Sequence, residues 1–399
     1  MRVRRFAHRR STAFGAVLVC VDMVVNGATA NASGGNLAWE TVELQGYTGL
    51  PVRPVAINNR GTVIGNGRLA AYMETVRWDR DGKFVQLQFD SEFSRTQAQA
   101  INDDDTAVGS AAAQSGEERA ARWGADGGLT LLQSLPDSNH SWASAINMRG
   151  EIVGGALTRE YVTVPVRWDH GGNVTVLETP SGMWSGRATG INDNGVVIGE
   201  VVGPDSQTHH AARWDEHGHV KVLDALPNGS WSQADHVDKT GVVAGASDDG
   251  TGQSYAVRWD RNGHVIKLDT LGGSYGAVKD MNRNGVMTGN AANTMGSDRA
   301  VRWSPRGHIQ ELPMHGDAYR SNAVAINSRG TVLGMIFSGG GMASIALWWR
   351  DGRAVTLPIS TDNASVSPVD INDVDSVLVT SLIDGSRTHN TVWRPHPST

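Results

Sequence analysis

The sequence predicts an all-β fold built from eight copies of one unit, because three ladders of recurring residues share a period of about 45 residues. The first ladder is an apolar residue followed by Asn or Asp: Ile57-Asn58, Ile101-Asn102, Ile146-Asn147, Ile191-Asn192, Val237-Asp238, Met281-Asn282, Ile326-Asn327 and Ile371-Asn372. The second is a tryptophan: Trp78, Trp123, Trp168, Trp214, Trp259, Trp303, Trp348 and Trp393. The third is a leucine: Leu44, Leu87, Leu132, Leu177, Leu223, Leu268, Leu312 and Leu357.

Each copy reads as four short strands. The stretch AVAIN is small and apolar, and GTVLG places β-branched residues between glycines. The stretches SYAVRW and GHVIKL alternate polar and apolar residues, which is the period of a half-buried strand. Asn-x-x-Gly between the first two strands predicts an Asx turn, and WDRDG predicts a tight hairpin between the last two. The ladders are therefore interpreted as turn formers and as core between the units.

Four-stranded units of this length match the blades of a β-propeller, which pack radially into a ring. The last copy stops after Trp393 without a fourth strand, while the stretch Thr41 to Gln45 is a strand without a copy of its own. We expect this N-terminal strand to be the outer strand of the last blade, since that pairing removes an open sheet edge. The sequence therefore predicts an eight-bladed β-propeller of four-stranded blades. The matched missing and extra strands argue against the alternative, a solenoid of stacked sheets.

The first 30 residues differ from the repeats and are typical of a secretion signal peptide. Five arginines precede an apolar run, and Ala28-Thr29-Ala30 offers a small-x-small cleavage site. The run is too short to span a membrane and contains Asp22. We therefore expect a secreted protein, with a signal peptide at residues 1–30 and a single propeller domain at residues 31–399. Sec and twin-arginine export both stay open.

Cleavage after residue 30 changes the charge and removes the only cysteine. Five of the 35 basic and one of the 41 acidic residues are lost, so 30 and 40 remain and the net charge is −10. This charge argues against nucleic-acid or anionic-membrane binding, which requires a positive field. Because Cys20 leaves with the signal peptide, stability must come from ring closure rather than from disulfides. We expect a monomer.

The repeat unit resembles the HAF-repeat family of bacterial extracellular repeat proteins. The shared pattern is apolar-Asn-x-x-Gly-x-Val-x-Gly, a variable loop, a strand ending in Trp and a short strand ending in Leu. It covers nearly the whole chain from Trp39 and is clearest at LGGSYGAVKDMNRNGVMTG, residues 271–289. The His-Ala-Phe signature is degraded, and His210-Ala211-Ala212 keeps two of its three residues. The resemblance implies a secreted or surface location and propeller-like repeats, without a particular chemistry.

Signatures of known enzyme chemistry are absent from the sequence: there is no G-x-S-x-G, no H-E-x-x-H and no phosphate-binding glycine loop. The acidic turns INDDDTAVG and SDDGTG suit Ca²⁺, but neither matches a full calcium loop. His209, His210, His217 and His219 lack accompanying metal-ligand spacing and are interpreted as exposed loop and hairpin residues. We therefore predict no metal or cofactor, with Ca²⁺ as the alternative.

The face that carries the longer connections is the predicted binding face, because loops on a rigid scaffold carry function. In seven of the eight blades the connection into the inner strand holds an aromatic residue: Tyr47, Phe93, Trp142, Trp184, Trp231, Tyr275 and Tyr319. These residues are either loop anchors or a rim around the channel mouth, where rings stack on sugars or flat apolar ligands. We predict that the last five, Trp142 to Tyr319, bind the ligand.

A second departure concerns the residue before each apolar-Asn pair, which is small in five blades but is His236, Asp280 or Asp370 in three. These three are candidates for a general acid/base set or a polar floor in the channel. The favoured interpretation is structural, a salt-bridged plug that fastens the ring. Two functions stay open: a module that binds an extracellular or cell-wall glycan or a partner protein, and an exported glycan hydrolase, lyase or cyclase that uses these three side chains.

Overall fold

The computed structural model describes residues 39–46, 52–69, 72–136, 138, 140–339, 343–357, 363–383 and 387–396. The predicted signal peptide and Tyr47 lie outside these residues. The described chain is made of strands and turns, and none of it is a helix long and apolar enough to cross a membrane.

Thirty-two strands follow one another in the described residues. The first is β1 (Trp39–Glu43), which precedes the repeats. The strands of blades 1 to 4 are β2 (Val52–Ile57), β3 (Val63–Leu69), β4 (Tyr72–Trp78), β5 (Phe84–Gln86), β6 (Phe93–Ile101), β7 (Ala107–Ala113), β8 (Glu118–Trp123), β9 (Leu129–Leu131), β10 (His140–Ile146), β11 (Ile152–Leu157), β12 (Thr163–Trp168), β13 (Val174–Val176), β14 (Ser185–Ile191), β15 (Val197–Val202), β16 (His209–Trp214) and β17 (Val220–Val222).

Blades 5 to 8 repeat the same order. Their strands are β18 (Ser232–Val237), β19 (Val243–Asp248), β20 (Ser254–Trp259), β21 (Val265–Lys267), β22 (Gly272–Met281), β23 (Met287–Asn293), β24 (Asp298–Trp303), β25 (Ile309–Glu311), β26 (Ala318–Ile326), β27 (Val332–Ser338), β28 (Ala343–Trp348), β29 (Ala354–Leu357), β30 (Asn363–Ile371), β31 (Val377–Ile383) and β32 (Arg387–Pro395). Within blades 1 to 7 the strands pair antiparallel in chain order, from the inner strand to the outer one.

The ring closes as predicted. Strand β1 pairs antiparallel with β32, with Trp39 opposite Pro395 and Glu43 opposite Thr391, so the N-terminal strand is the outer strand of blade 8. The strand ends earlier than predicted because the backbone N–H of Gln45 already donates to the carbonyl of Gly82 in blade 1. The eight-bladed propeller of four-stranded blades is therefore confirmed.

The tryptophan and leucine ladders form the core between blades. Seven ladder tryptophans and all eight ladder leucines are buried, which confirms the prediction for those positions. Each of the seven indoles also donates a hydrogen bond to the carbonyl that follows the ladder leucine of the preceding blade, as Trp168 does to Gln133 at 2.8 Å. Trp393 is only partly buried, because the buried Trp39 of β1 shares the core of the last blade with it.

The Asn ladder caps the turns after the inner strands, as predicted, and it also joins the blades. The side-chain oxygen of Asn58 accepts the backbone N–H groups of Arg60 and Thr62 at 3.1 and 2.9 Å. Its amide group donates to the carbonyl of Asn102 in the next blade at 2.9 Å. Corresponding amide bonds recur around the ring and end with Asn372 donating to the carbonyl of Asn58 at 2.9 Å.

Candidate ligand-binding site on the channel wall

A β-bulge interrupts every inner strand near its end. The pairing register skips one residue there, and the extra residue is left without a partner in the ladder. The extra residues are Val55, Gln99, Ser144, Thr189, Asp235, Lys279, Val324 and Val369. Sequence reasoning missed these positions because it took the residue before the apolar-Asn pair as the channel residue and assumed an unbroken period.

The channel wall of blades 2 to 4 contains a depression of about 410 Å³. It is lined by Gln97, Gln99, Ser110, Glu118, Trp142, Ala143, Ser144 and Thr189. Its surface therefore combines one indole with amide, hydroxyl and carboxylate groups from three neighbouring blades. A volume of this size lies in the range of small-molecule sites.

Trp142 is held flat against its own sheet. It stands opposite Gly155 in the pairing of β10 with β11, and a side chain at Gly155 would clash with the indole. The missing side chain at Gly155 thus makes room for the ring on the sheet. Trp142 stays partly exposed, and its remaining surface lines the depression.

Glu118 is the one carboxylate of the depression, and two neighbours orient it. The hydroxyl of Ser110 donates to its Oε1 at 2.6 Å, and a guanidinium N–H of Arg95 donates to the same oxygen at 3.3 Å. Charge-assisted hydrogen bonds of this kind hold a carboxylate in one orientation. Both bonds go to Oε1, and among the described residues no donor bonds to Oε2, which is the acceptor available to a ligand hydroxyl.

The other predicted rim residues are spread around the face that carries the longer connections, which we call the loop face. Trp184, Tyr275 and Tyr319 are exposed, by 59%, 44% and 55% of their surfaces. Trp231 is partly buried, and its backbone N–H donates to the carboxylate of Asp248 at 2.7 Å. Among the aromatic contacts of the described residues, none joins two of the five predicted ligand-binding rings.

Phe93 is not a rim residue. It is 4% exposed and packs in the core of blade 2 with Leu87 and Trp123. Phe93 is the first residue of β6 and lies farther before the ladder pair of its blade than any of the five predicted ligand-binding rings does. Of the two interpretations left open from the sequence, loop anchor and rim residue, the burial of Phe93 supports the first.

The structure brings His236 and Asp280 together. The imidazole Nδ1 of His236 lies 3.7 Å from Oδ1 of Asp280, and both side chains are about a quarter exposed. Oδ2 of Asp280 also accepts the backbone N–H of Ile326 in blade 7 at 2.8 Å. The contacts of these two side chains thus extend across blades 5, 6 and 7.

Asp370 makes the corresponding contact across the junction of the ring. Its Oδ2 accepts the backbone N–H of Ile57 in blade 1 at 3.0 Å, and its Oδ1 accepts the N–H of Ile371 at 2.8 Å. Burial raises the pKa of Asp370 to about 7, and the negative charge of Asp280 adds to the rise, although the two hydrogen bonds oppose it.

The acidic turn INDDDTAVG holds two blades together. Asp103 accepts the side-chain amide of Asn59 at 2.8 Å, and Asp105 accepts that of Asn58 at 2.8 Å. Asp104 pairs with Arg60 at 3.1 Å. These carboxylates therefore already have partners in blade 1. In the part of the chain that the structure describes, no three His, Cys, Asp or Glu side chains are grouped to hold a metal ion.

The histidines after residue 208 are not all loop residues. His209 and His210 are the first residues of strand β16 and are only partly exposed, which corrects the prediction that they lie in a loop. They extend the strand because each pairs across the sheet with β15, His210 opposite Val201. His219 lies in the hairpin, as predicted, and pairs with Asp215 at 3.1 Å.

Solved structures share this architecture. The Dos1 propeller matches with a TM-score of 0.52 and 11% identity over 89% of this chain and 95% of that chain. A prolyl endopeptidase matches with a TM-score of 0.54 and 10% identity, and prolyl oligopeptidase B from Galerina marginata with 0.50 and 9%. Each peptidase match covers 83% of this chain and 54% of the peptidase, so the chain spans about half their length. At such identities the similarity concerns the fold alone.

Comparisons of the sequence itself find no relative. No protein-family model matches the chain, and no curated protein is similar to it.

Proposed function

We propose that this chain is a secreted propeller module that binds an extracellular or cell-wall glycan in the depression around Trp142. The observation that carries the proposal is the lining of that depression: one partly exposed indole beside amide, hydroxyl and carboxylate groups. Sugar rings stack their apolar C–H faces on indoles and exchange hydrogen bonds with such groups. Trp184, Tyr275 and Tyr319 extend the stacking surface over the loop face in this proposal, and Trp231 borders it.

The secreted location and the relationship to HAF-repeat proteins belong to the same proposal. The basic and apolar segment at residues 1–30 supports export, and the eight-fold Asn-x-x-Gly pattern supports the relationship. A partner protein bound on the loop face is the other ligand class compatible with exposed aromatic residues.

A glycan array with the mature chain, followed by calorimetry on the glycans that bind, tests the proposal. Trp142→Ala and Gln97→Ala should each weaken binding, the first by about 1–3 kcal/mol, as is usual for a central aromatic contact. Tyr161→Ala is the matched control, because Tyr161 is an 84% exposed aromatic of the same blade and does not line the depression. Equal losses in Trp142→Ala and Tyr161→Ala, or no glycan bound at all, would contradict the proposal.

The second candidate function is an exported enzyme that uses His236, Asp280 and Asp370. The 3.7 Å approach of His236 to Asp280 favours it, because an imidazole beside a carboxylate is a common acid/base pair. Against it, Asp280 and Asp370 each accept two backbone N–H groups, which are structural bonds. A turnover screen separates the two candidates: in an enzyme, His236→Ala abolishes turnover while ligand binding persists, whereas in a binding module no substrate is turned over.

A further inference from the structure

The arginine before the ladder tryptophan joins neighbouring blades in the first half of the ring. Arg122 donates through Nη1 to the carbonyl of His170 at 2.6 Å, and Arg213 donates to the carbonyl of Arg261 at 2.7 Å. In both cases the acceptor lies in the hairpin between the third and fourth strands of the next blade. The bond joins two blades on the face that carries the tight turns. We call this face the turn face.

Arg302 occupies the same ladder position in blade 6 but makes a different set of bonds. Its Nη2 donates to the side chain of Gln310 in its own blade at 2.8 Å, and its Nη1 lies 3.5 Å from the carbonyl of Gly330. The hairpin residue that corresponds to Arg261 is Arg350, whose side chain is exposed. On the turn face, residues of blades 6 and 7 line a gap of about 680 Å³.

The lining of this gap is positively charged. Arg302, Arg329 and Arg350 all line it, and none of the lining residues is Asp or Glu. Arg329 has a partner outside the lining, Asp375 at 3.5 Å. Among the described residues, no carboxylate forms an ion pair with Arg302 or Arg350.

The guanidinium groups of Arg302 and Arg350, which have no carboxylate partner among the described residues, also repel each other. Burial lowers the pKa of Arg302, and the positive charge of Arg350 lowers it further. The blade architecture does not require two arginines to lie this close without a carboxylate. Arg122 and Arg213 show that an arginine at this position can instead donate to a carbonyl in the hairpin of the next blade. An anion in the gap would remove the repulsion.

We propose that the gap between blades 6 and 7 binds the oxyanion group, carboxylate or phosphate, of a small acidic ligand. Guanidinium groups present N–H donors in a planar fork that matches either group, and charge-assisted bonds of this kind are strong. Asn284, Ser304 and Ser328 line the same gap, and the two serine hydroxyls are further potential donors. The site lies on the turn face, so it is separate from the depression around Trp142 and does not depend on the function proposed for it.

Calorimetric titration of the full chain with phosphate, sulfate and glucuronate tests the proposal, with chloride used to keep the ionic strength constant. Arg350→Gln removes an exposed member of the lining and should leave the fold intact. Arg261→Gln is the matched control, because Arg261 holds the equivalent hairpin position in blade 5 and its carbonyl already accepts from Arg213. Arg302→Lys provides a second variant that keeps the charge but loses the fork.

We expect saturable binding of at least one of the three anions to the wild-type chain. Arg350→Gln should weaken it by about tenfold or more, and Arg302→Lys should weaken it as well. Arg261→Gln should bind like the wild type. Preference for glucuronate would identify a carboxylate ligand, and preference for phosphate or sulfate a tetrahedral oxyanion. The proposal is overturned if no anion binds saturably, or if Arg350→Gln and Arg261→Gln behave alike.

Discussion

Two arcs of the ring differ in how their blades are joined. In the regular arc, blades 1 to 4, each ladder Asn donates its amide to the next ladder carbonyl, at 2.7 to 3.2 Å. In the substituted arc, blades 5 to 8, the three ladder Asn make the same bond at 2.9 Å. Asp238, however, has no amide hydrogen to donate, and the backbone N–H of Lys239 donates to the carbonyl of Arg283 instead. Asp280 and Asp370 in addition each accept the backbone N–H of the ladder isoleucine of the next blade, at positions where blades 1 to 4 carry Ala or Gly.

The difference shows that the polar contacts between blades tolerate substitution better than the apolar packing does. The ladder leucines are buried in both arcs, and so are all ladder tryptophans except Trp393, so the apolar packing between blades is largely shared. Apolar burial is the dominant favourable term in folding, whereas each hydrogen bond contributes only about 1 kcal/mol net. Polar substitutions can therefore accumulate in blades 5 to 8 without loss of the ring, and they leave charged side chains in the channel and on the turn face.

The largest expected effect concerns the apolar core between blades, which the two arcs share. Trp168→Ala in the regular arc and Trp303→Ala in the substituted arc should each lower the free energy of unfolding by about 3–5 kcal/mol, because each leaves a cavity between blades. Denaturant unfolding of both variants measures it. A much smaller loss for Trp303→Ala would mean that the two arcs do not share one core.

The second expected effect belongs to the substituted arc alone and depends on pH. The folded-state pKa of Asp370, about 7, lies above the ordinary 3.8, so the folded chain binds more protons than the unfolded chain between these values. The free energy of unfolding should therefore fall as the pH rises from about 4 to 7, by roughly 1–3 kcal/mol from this group. In Asp370→Asn this component should vanish. Identical pH profiles of unfolding in the variant and the wild type would refute the assignment.

The smallest expected effect comes from exchanging Asn and Asp at one ladder position in each arc. Asp238→Asn restores an amide donor toward the carbonyl of Asn282 and should raise the free energy of unfolding by about 0.5–1.5 kcal/mol. The converse change, Asn192→Asp, removes the 2.7 Å bond to the carbonyl of Asp238 and should lower it by a similar amount. Thermal unfolding of both variants decides the point, and shifts of the same sign would contradict it.

Much of the candidate site lay beyond sequence reasoning, for a reason visible in β10 and β6. The aromatic Trp142 was predicted, but Gln97, Gln99, Ser144 and Thr189 beside it were not. A signal was present: these polar residues alternate with small buried ones, as Gln97 and Gln99 do with Ala98. The β-bulge at Gln99 shifts this alternation by one residue, so the pattern does not continue to the ladder residue Asn102.

The period of 45 residues, the strand patterns and the unmatched strands at the two ends were enough to predict the blades, their number and the closure by β1. These features are local or repeat at a fixed spacing, so each copy reports the same fold. Only the tertiary structure decided that Phe93 is buried, that His236 meets Asp280, and that Arg302 leaves a gap beside Arg350. Those facts depend on contacts between residues of different blades, which no pattern within a single repeat encodes.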